Sequence, residues 1–183
     1  RNGFFKDDIF LSAESNDNTE ENLKNDFFPS CETSQNLIWD KCFGIYEWDT
    51  QDNKGDKYIG EWQNDLRHGQ GTYYYLAENE NKGNVYYGEH KKGYPSGWGT
   101  YLIATGEKFI GEFKSGKRNG LGINIFENRD QYIGQWKNGR YHGDGIAIYF
   151  GGDKFIGKYK DGKKDGMGTY FWKDGSREIA HYK

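Results

Sequence analysis

Residues Tyr58 to Tyr73 read YIGEWQNDLRHGQGTY. Glycines, aromatics, a carboxylate and an imidazole crowd together there, as they do in catalytic and ligand sites. The rest of the chain decides whether the stretch is a site or a building unit, because it recurs. It returns as YYGEHKKGYPSGWGTY from Tyr86, FIGEFKSGKRNGLGIN from Phe109, YIGQWKNGRYHGDGIA from Tyr132 and FIGKYKDGKKDGMGTY from Phe155. The last four copies start 23 residues apart; the first interval is 28, because Ala77 to Asn84 (AENENKGN) adds about five residues. Cys42 to Tyr46 matches the second half of the unit and Glu178 to Lys183 the first half. A fixed short period of this kind marks an array of stacked supersecondary units.

Numbering each unit from its first aromatic, positions 1, 3 and 5 are aromatic, Gly, aromatic, and position 2 is Ile59, Ile110, Ile133 or Ile156, with Tyr87 in the second unit. This period-two alternation predicts a strand with its rings on one face. Turn chemistry follows at positions 7 and 8 in Lys92-Gly93, Ser115-Gly116, Asn138-Gly139 and Asp161-Gly162, pairs that suit two-residue hairpins needing positive φ. A second strand is expected from about position 12, as from Gly69 to Tyr75 or Gly143 to Phe150, before a second turn at Thr105-Gly106, Gly151-Gly152 or Asp174-Gly175. Each unit is then one β-hairpin and a link. At about 4.8 Å per strand, a unit advances the array by roughly 9.6 Å and the whole spans on the order of 50 Å. The fold class is all-β: an elongated, solenoid-like single-layer antiparallel meander of about five and a half hairpin repeats. A lone hairpin is marginal in water, so neighbours stabilise one another.

Composition agrees. Hydrophobic residues are 34% and aromatic residues alone 18%, beside 27 glycines; such a chain favours short strands and tight turns over aliphatic helix packing. No apolar run nears the roughly 18 residues of a membrane span, and no signal-like N-terminus is present, so a soluble cytoplasmic location is the expectation. Cys31 and Cys42 lie near enough in sequence to pair, but two cysteines make no disulfide framework, and both are read as free thiols. The chain opens at Arg1 without methionine and closes inside the repeat pattern, which reads as a piece of a longer protein. Residues 1–37 differ in kind: three basic against eight acidic residues give −5, whereas 22 basic and 20 acidic residues leave the remainder at +2. A short helix from Asp17 or Asn18 through Lys24, docked on the sheet with its apolar neighbours, is expected of this extension. The repeat array is assigned to 38–183, with half unit 38–57, units from 58, 86, 109, 132 and 155, and terminal half unit 178–183.

The pattern YxGEW, then xxGxxHGxG, then an aromatic, at a 23-residue period, resembles the MORN repeat (membrane occupation and recognition nexus). His90 in place of a position-5 aromatic, Gln135 and Lys158 in place of Glu, and Pro95-Ser96 in the second hairpin depart from it. The resemblance implies an elongated, groove-bearing antiparallel sheet, and proteins that organise cytoskeletal or membrane-associated assemblies, some as homodimers. It also allows the array to be the targeting arm of a lysine methyltransferase or lipid kinase. Gly-aromatic repeats of cell-wall choline or glucan binders fit less well, since they lack the Gly-Glu and His-Gly-x-Gly elements.

Each candidate chemistry meets a plainer reading. Gly69-Gln-Gly71 and Gly166-Met-Gly168 are followed by strands, whereas a phosphate loop needs a helix N-terminus. His68 and His142 share position 11 but lie three units, roughly 29 Å, apart, while zinc ligands sit near 2 Å from the metal; a turn-forming polar role is expected instead. Glu61, Glu89 and Glu112 recur at position 4, and an acid repeated in every unit is structural or solvated rather than catalytic. No catalytic residue, metal site or cofactor is expected, and a pI near 5.9 argues against nucleic acid.

Two features remain functional candidates. Tyr58, Trp62, Tyr86, Phe109, Phe113, Tyr132, Trp136, Phe155 and Tyr159 form files of rings, joined from second strands by Tyr73 and Tyr101. A single-layer sheet has no second layer to cover this face, so the rings pack on one another or meet a partner peptide or helix. Positions 6, 9 and 10 supply Lys114, Lys117, Arg118, Lys137, Arg140, Lys160, Lys163 and Lys164 along one rim of turns, either for solubility or for an acidic protein or anionic lipid. The favoured function is a non-catalytic protein-interaction scaffold, self-association included; the alternative is an anionic-phospholipid-binding module.

Overall fold

The structure is a computed structural model that describes residues 28–31 and 38–183. Twelve strands run in chain order: β1 (Cys42–Glu47), β2 (Lys57–Gln63), β3 (Leu66–Tyr74), β4 (Val85–Lys91), β5 (Tyr94–Leu102), β6 (Lys108–Lys114), β7 (Lys117–Ile125), β8 (Gln131–Lys137), β9 (Arg140–Ile148), β10 (Lys154–Lys160), β11 (Lys163–Phe171) and β12 (Arg177–Tyr182). Each is hydrogen-bonded to its neighbours in sequence, giving one open antiparallel meander. The hairpin turns form as the sequence dictates. Asn138 and Gly139 have φ of 52° and 81°, Asp161 and Gly162 50° and 93°, both positive as a primed turn requires.

The second strand of each unit begins at position 9, three residues earlier than expected. In the first hairpin Gly60 faces Gly71, yet Glu61 faces His68 across a register shift, which leaves Gly69 and Gln70 as a bulge. Gly69 takes φ +53°, so pairing resumes beyond it and reaches the turn. The position-4 side chain holds the bulge. Glu61 accepts the Gln70 N–H, Glu89 the Trp98 N–H and Glu112 the Leu121 N–H, each at 2.9 Å, and the Gln135 amide oxygen accepts from Asp144 at 3.1 Å. The recurrent acid is thus structural, and glutamine serves because only an acceptor oxygen is required.

Register converts the repeat into files that cross the sheet. Gly44, Gly60, Gly71, Gly88, Gly99 and Gly111 stand opposite one another from strand to strand and continue to Gly168 and Ala180. One residue away on the opposite face runs a ladder of Ile45, Ile59, Thr72, Tyr87, Thr100 and Ile110, continuing through Ile123, Ile133, Ile146 and Ile156 to Thr169 and Ile179. Cross-strand β-branched pairs of this sort are a main stabilising unit of sheets.

At the β1 edge, Pro29 O accepts from Phe43 N at 2.8 Å and Cys31 N donates to Phe43 O at 2.9 Å. This parallel bridge sets Cys31 beside Cys42, and the two form a disulfide. The free-thiol expectation is overturned: a low cysteine count says nothing about proximity, which the edge pairing supplies. The expected helix through Lys24 lies outside the described residues.

Candidate functional site

The aromatic face is built on the glycine file. A Cβ at Gly71 would lie 2.2 Å from the Tyr58 hydroxyl oxygen, and one at Gly122 would lie 2.4 Å from Phe109 Cζ, so each position-1 ring lies down over the bare backbone of its own hairpin. Between these rings sit the position-5 rings of the same and following units. The result is a continuous edge-to-face file: Tyr58–His90 4.9 Å, His90–Tyr86 5.0 Å, Tyr86–Phe113 5.0 Å, Phe113–Phe109 5.1 Å, Phe109–Trp136 5.1 Å, Trp136–Tyr132 5.3 Å, Tyr132–Tyr159 5.1 Å. Phe155 extends it at 5.6 Å from Tyr159, and Tyr182 follows at 5.1 Å from Phe155. Such T-shaped contacts match ring edge to ring face.

Ten of the eleven rings expected to meet a partner are consequently buried: Tyr58, Trp62, Tyr73, Tyr86, Phe109, Phe113, Tyr132, Trp136, Phe155 and Tyr159. Tyr101 is half-buried. They form the core, because glycine at positions 3 and 14 lets one layer cover its own rings. Burial pushes the Tyr58, Tyr86 and Tyr132 phenols well above their ordinary range, and each remains a donor, to Glu61, Glu89 and Gln135 carbonyls respectively.

The basic residues divide. Lys114, Lys117, Lys137, Arg140, Lys160 and Lys163 are exposed at the hairpin ends. Arg118 and Lys164, at position 10, leave that rim and lie half-buried over the rings. Arg118 Cζ is 4.9 Å from Phe109 and 5.3 Å from Trp136, with Glu107 at 3.0 Å; Lys164 Nζ is 4.2 Å from Phe155 and 4.9 Å from Tyr170. Arg67, in the same position, is 4.5 Å from Tyr73 and 5.4 Å from Trp48. These are cation–π distances. The alternation that begins at position 9 explains the split, since positions 9 and 10 now belong to a strand and point to opposite faces.

A second recurring contact had gone unread in the sequence. The residue two before each unit's first aromatic is Asp56, Asn84, Glu107, Asp130 or Asp153. Asp56 Oδ2 accepts from Tyr73 Oη at 2.6 Å while Oδ1 accepts from the Leu76 and Ala77 amides at 2.7 Å; Asp153 accepts likewise from Tyr170 at 3.0 Å and Lys173 N at 2.9 Å. Asn84 donates to Tyr101 Oη at 2.7 Å. The tyrosines are all at position 16. In the two intervening units that position is Asn124 and Ala147.

There the face opens. The cross-strand file Tyr86, Tyr101, Phe109, Asn124, Tyr132, Ala147, Phe155 loses its rings at two places; Asn124 is fully buried, and at Ala147 a trough of about 810 Å³ lies over the sheet. Phe126, Tyr132, Tyr141, Ala147, Tyr149 and Tyr159 line it, with Glu107, Glu127, Asp130 and Lys164 as its charged groups. Phe126, Tyr141 and Tyr149 are half-buried. Neither His68 nor His142 contributes. Among the described residues no group of three or more His, Cys, Asp or Glu side chains is placed to hold a metal ion.

The MORN repeat model matches residues 58–75, 109–131, 132–154 and 155–177. The unit from Tyr86, with His90 and Pro95, is not among the matched segments. Among curated proteins none matches the chain. One of the solved structures similar to it is the SAS-4 TCP domain of Drosophila melanogaster in complex with a proline-rich motif of Ana2. It is 17% identical with a TM-score of 0.43, over 72% of this chain and 68% of that one.

Proposed function

The chain belongs to the MORN repeat family, and on that premise we propose that it is a non-catalytic protein-interaction scaffold of a cytoskeletal or membrane-associated assembly in the cytoplasm. A partner's peptide or helix lies in the trough between Phe126 and Tyr159. The observation that supports this reading is the trough itself: elsewhere on the face the rings close over one another, and here half-buried rings border an open volume of about 810 Å³. The test is affinity capture with the wild-type chain against a Phe126→Ser, Tyr149→Ser double variant. Partner loss with unchanged thermal unfolding supports the reading; equal capture by both sinks it. Trp62, Phe113 and Trp136 are unsuitable for such a test, since they are core.

The six exposed rim cations support a second reading, binding to anionic phospholipid. Vesicles containing phosphoinositide should retain the chain better than neutral ones, and Lys117, Lys137 and Lys163 changed together to Glu should abolish the difference. Self-association through the open sheet edges belongs to the same proposal: light scattering of a chain with lysine introduced into β12 distinguishes it from a monomer.

A further inference from the structure

The molecule carries its own examples of what its aromatic face binds. In three units the position-10 side chain is a cation laid over rings: Arg67, 4.5 Å from Tyr73; Arg118, 4.9 Å from Phe109; and Lys164, 4.2 Å from Phe155. In the unit from Tyr86 this position is Pro95, and position 16 keeps its ring, Tyr101, bonded to Asn84. In the unit from Tyr132 both elements are missing. Position 10 is Tyr141, stacked on Tyr132 with centroids 3.9 Å apart, and position 16 is Ala147. The trough therefore lies where the repeat has lost a cation and the ring beside it.

The loss also leaves one carboxylate without its tyrosine. Asp56 and Asp153 each spend one oxygen on a tyrosine hydroxyl; Asp130, their counterpart, has Ala147 in that place. Its Oδ1 accepts from Phe150 N at 2.8 Å and its Oδ2 only from the exposed Asn128 amide at 3.0 Å. Glu127 adds a second charge at the border, while Glu107 is engaged by Arg118 at 3.0 Å. With Glu107 paired to Arg118, Asp130 and Glu127 are the carboxylates left to face the trough's one ammonium, Lys164, which lies over Phe155 and Tyr170 of its own unit and reaches Tyr149 at 5.9 Å. Resting on the scaffold reading above, we infer that the trough over the Tyr132 unit receives a basic side chain, arginine or lysine, from a partner peptide. The cation sits among Phe126, Tyr141 and Tyr149 and pairs with Asp130. Aromatic faces and a carboxylate with lone pairs to spare are the two groups that recognise such a cation.

Titration of the full chain with acetyl-Gly-Arg-Gly-amide, followed by NMR of the tyrosine and phenylalanine rings, tests this. The lysine and citrulline versions serve as comparisons. Saturable shifts of the Tyr141 and Tyr149 rings with the arginine or lysine peptide are expected, with affinity lower by about tenfold for citrulline, which keeps the shape but not the charge. Ala147→Tyr restores the residue of the Tyr58 and Phe155 units and should close the slot. Asp130→Asn, which keeps the acceptor for Phe150 N, should weaken binding about fivefold. Absence of saturable shifts with both basic peptides, or equal binding of citrulline, or equal binding by Ala147→Tyr, overturns the inference. If the basic peptides fail while the Phe126, Tyr149 double variant still loses its partner, the cation is wrong and the scaffold reading stands.

Discussion

His90 shows how a single departure from the repeat alters behaviour. It occupies a position-5 ring slot, buried between Tyr58 and Tyr86, with Nδ1 3.1 Å from Gly88 O and Nε2 without a partner. Burial foremost, and the Arg67 charge second, lower its pKa from 6.5 to about 4. The native state thus refuses a proton that the unfolded state accepts. Stability is full above the unfolded value and falls as pH drops from there toward 4. Between pH 7 and 5 the loss from this group is about 2 kcal/mol. Urea unfolding at the two pH values should show that loss in the wild type and a clearly smaller one in His90→Phe. Gly71→Ala, whose Cβ would lie 2.2 Å from the Tyr58 hydroxyl, is expected to destabilise by about 1–3 kcal/mol or more. Gly151→Ala meets nothing within 4 Å and serves as its neutral control; equal unfolding midpoints would contradict the ring-on-glycine packing.

At the scale of the element, the link between hairpins is held by the residue that precedes each first strand. Asp56 is 2% exposed and accepts three hydrogen bonds. Asp56→Ala leaves the Leu76 and Ala77 amides and the Tyr73 hydroxyl short of an acceptor, and should cost about 2–3 kcal/mol in chemical denaturation. The β1 edge gives another prediction. Reducing Cys31–Cys42 should release Pro29–Cys31, speed hydrogen exchange at the Phe43 amide and destabilise by about 2–3 kcal/mol. Disulfides persist in oxidising compartments, so the thiol state trapped in cells bears directly on the cytoplasmic placement. The hairpins themselves were legible, because alternation and Asn-Gly or Asp-Gly pairs are local signals. The earlier start of β3, β5, β7, β9 and β11 was not, because it depends on a bulge that exists only once Gly60 and Gly71 face each other. The same holds for the site. Asn124, Tyr141 and Ala147 stand in the sequence as departures, but their meaning rests on which residues lie across the sheet from them.

At the scale of the whole molecule, every strand is hydrogen-bonded only to those before and after it in the chain among the described residues. Stability is then a sum over neighbours, and amide exchange should be slowest around β6 to β9 and faster toward β12, whose outer edge has no strand beside it among the described residues. A uniform, all-or-none exchange pattern would contradict it. Of the two readings the sequence left open for the rings, packing on one another or meeting a partner, the first holds for most of them, and only the assembled glycine file shows why. The identity of chain order and strand order reaches beyond stability. Each new strand hydrogen-bonds to the one already made, so the sheet is suited to grow from the ribosome in the order it is made. A chain halted at a unit boundary presents one fresh edge and a last position-1 ring still waiting for the position-5 ring of the next unit.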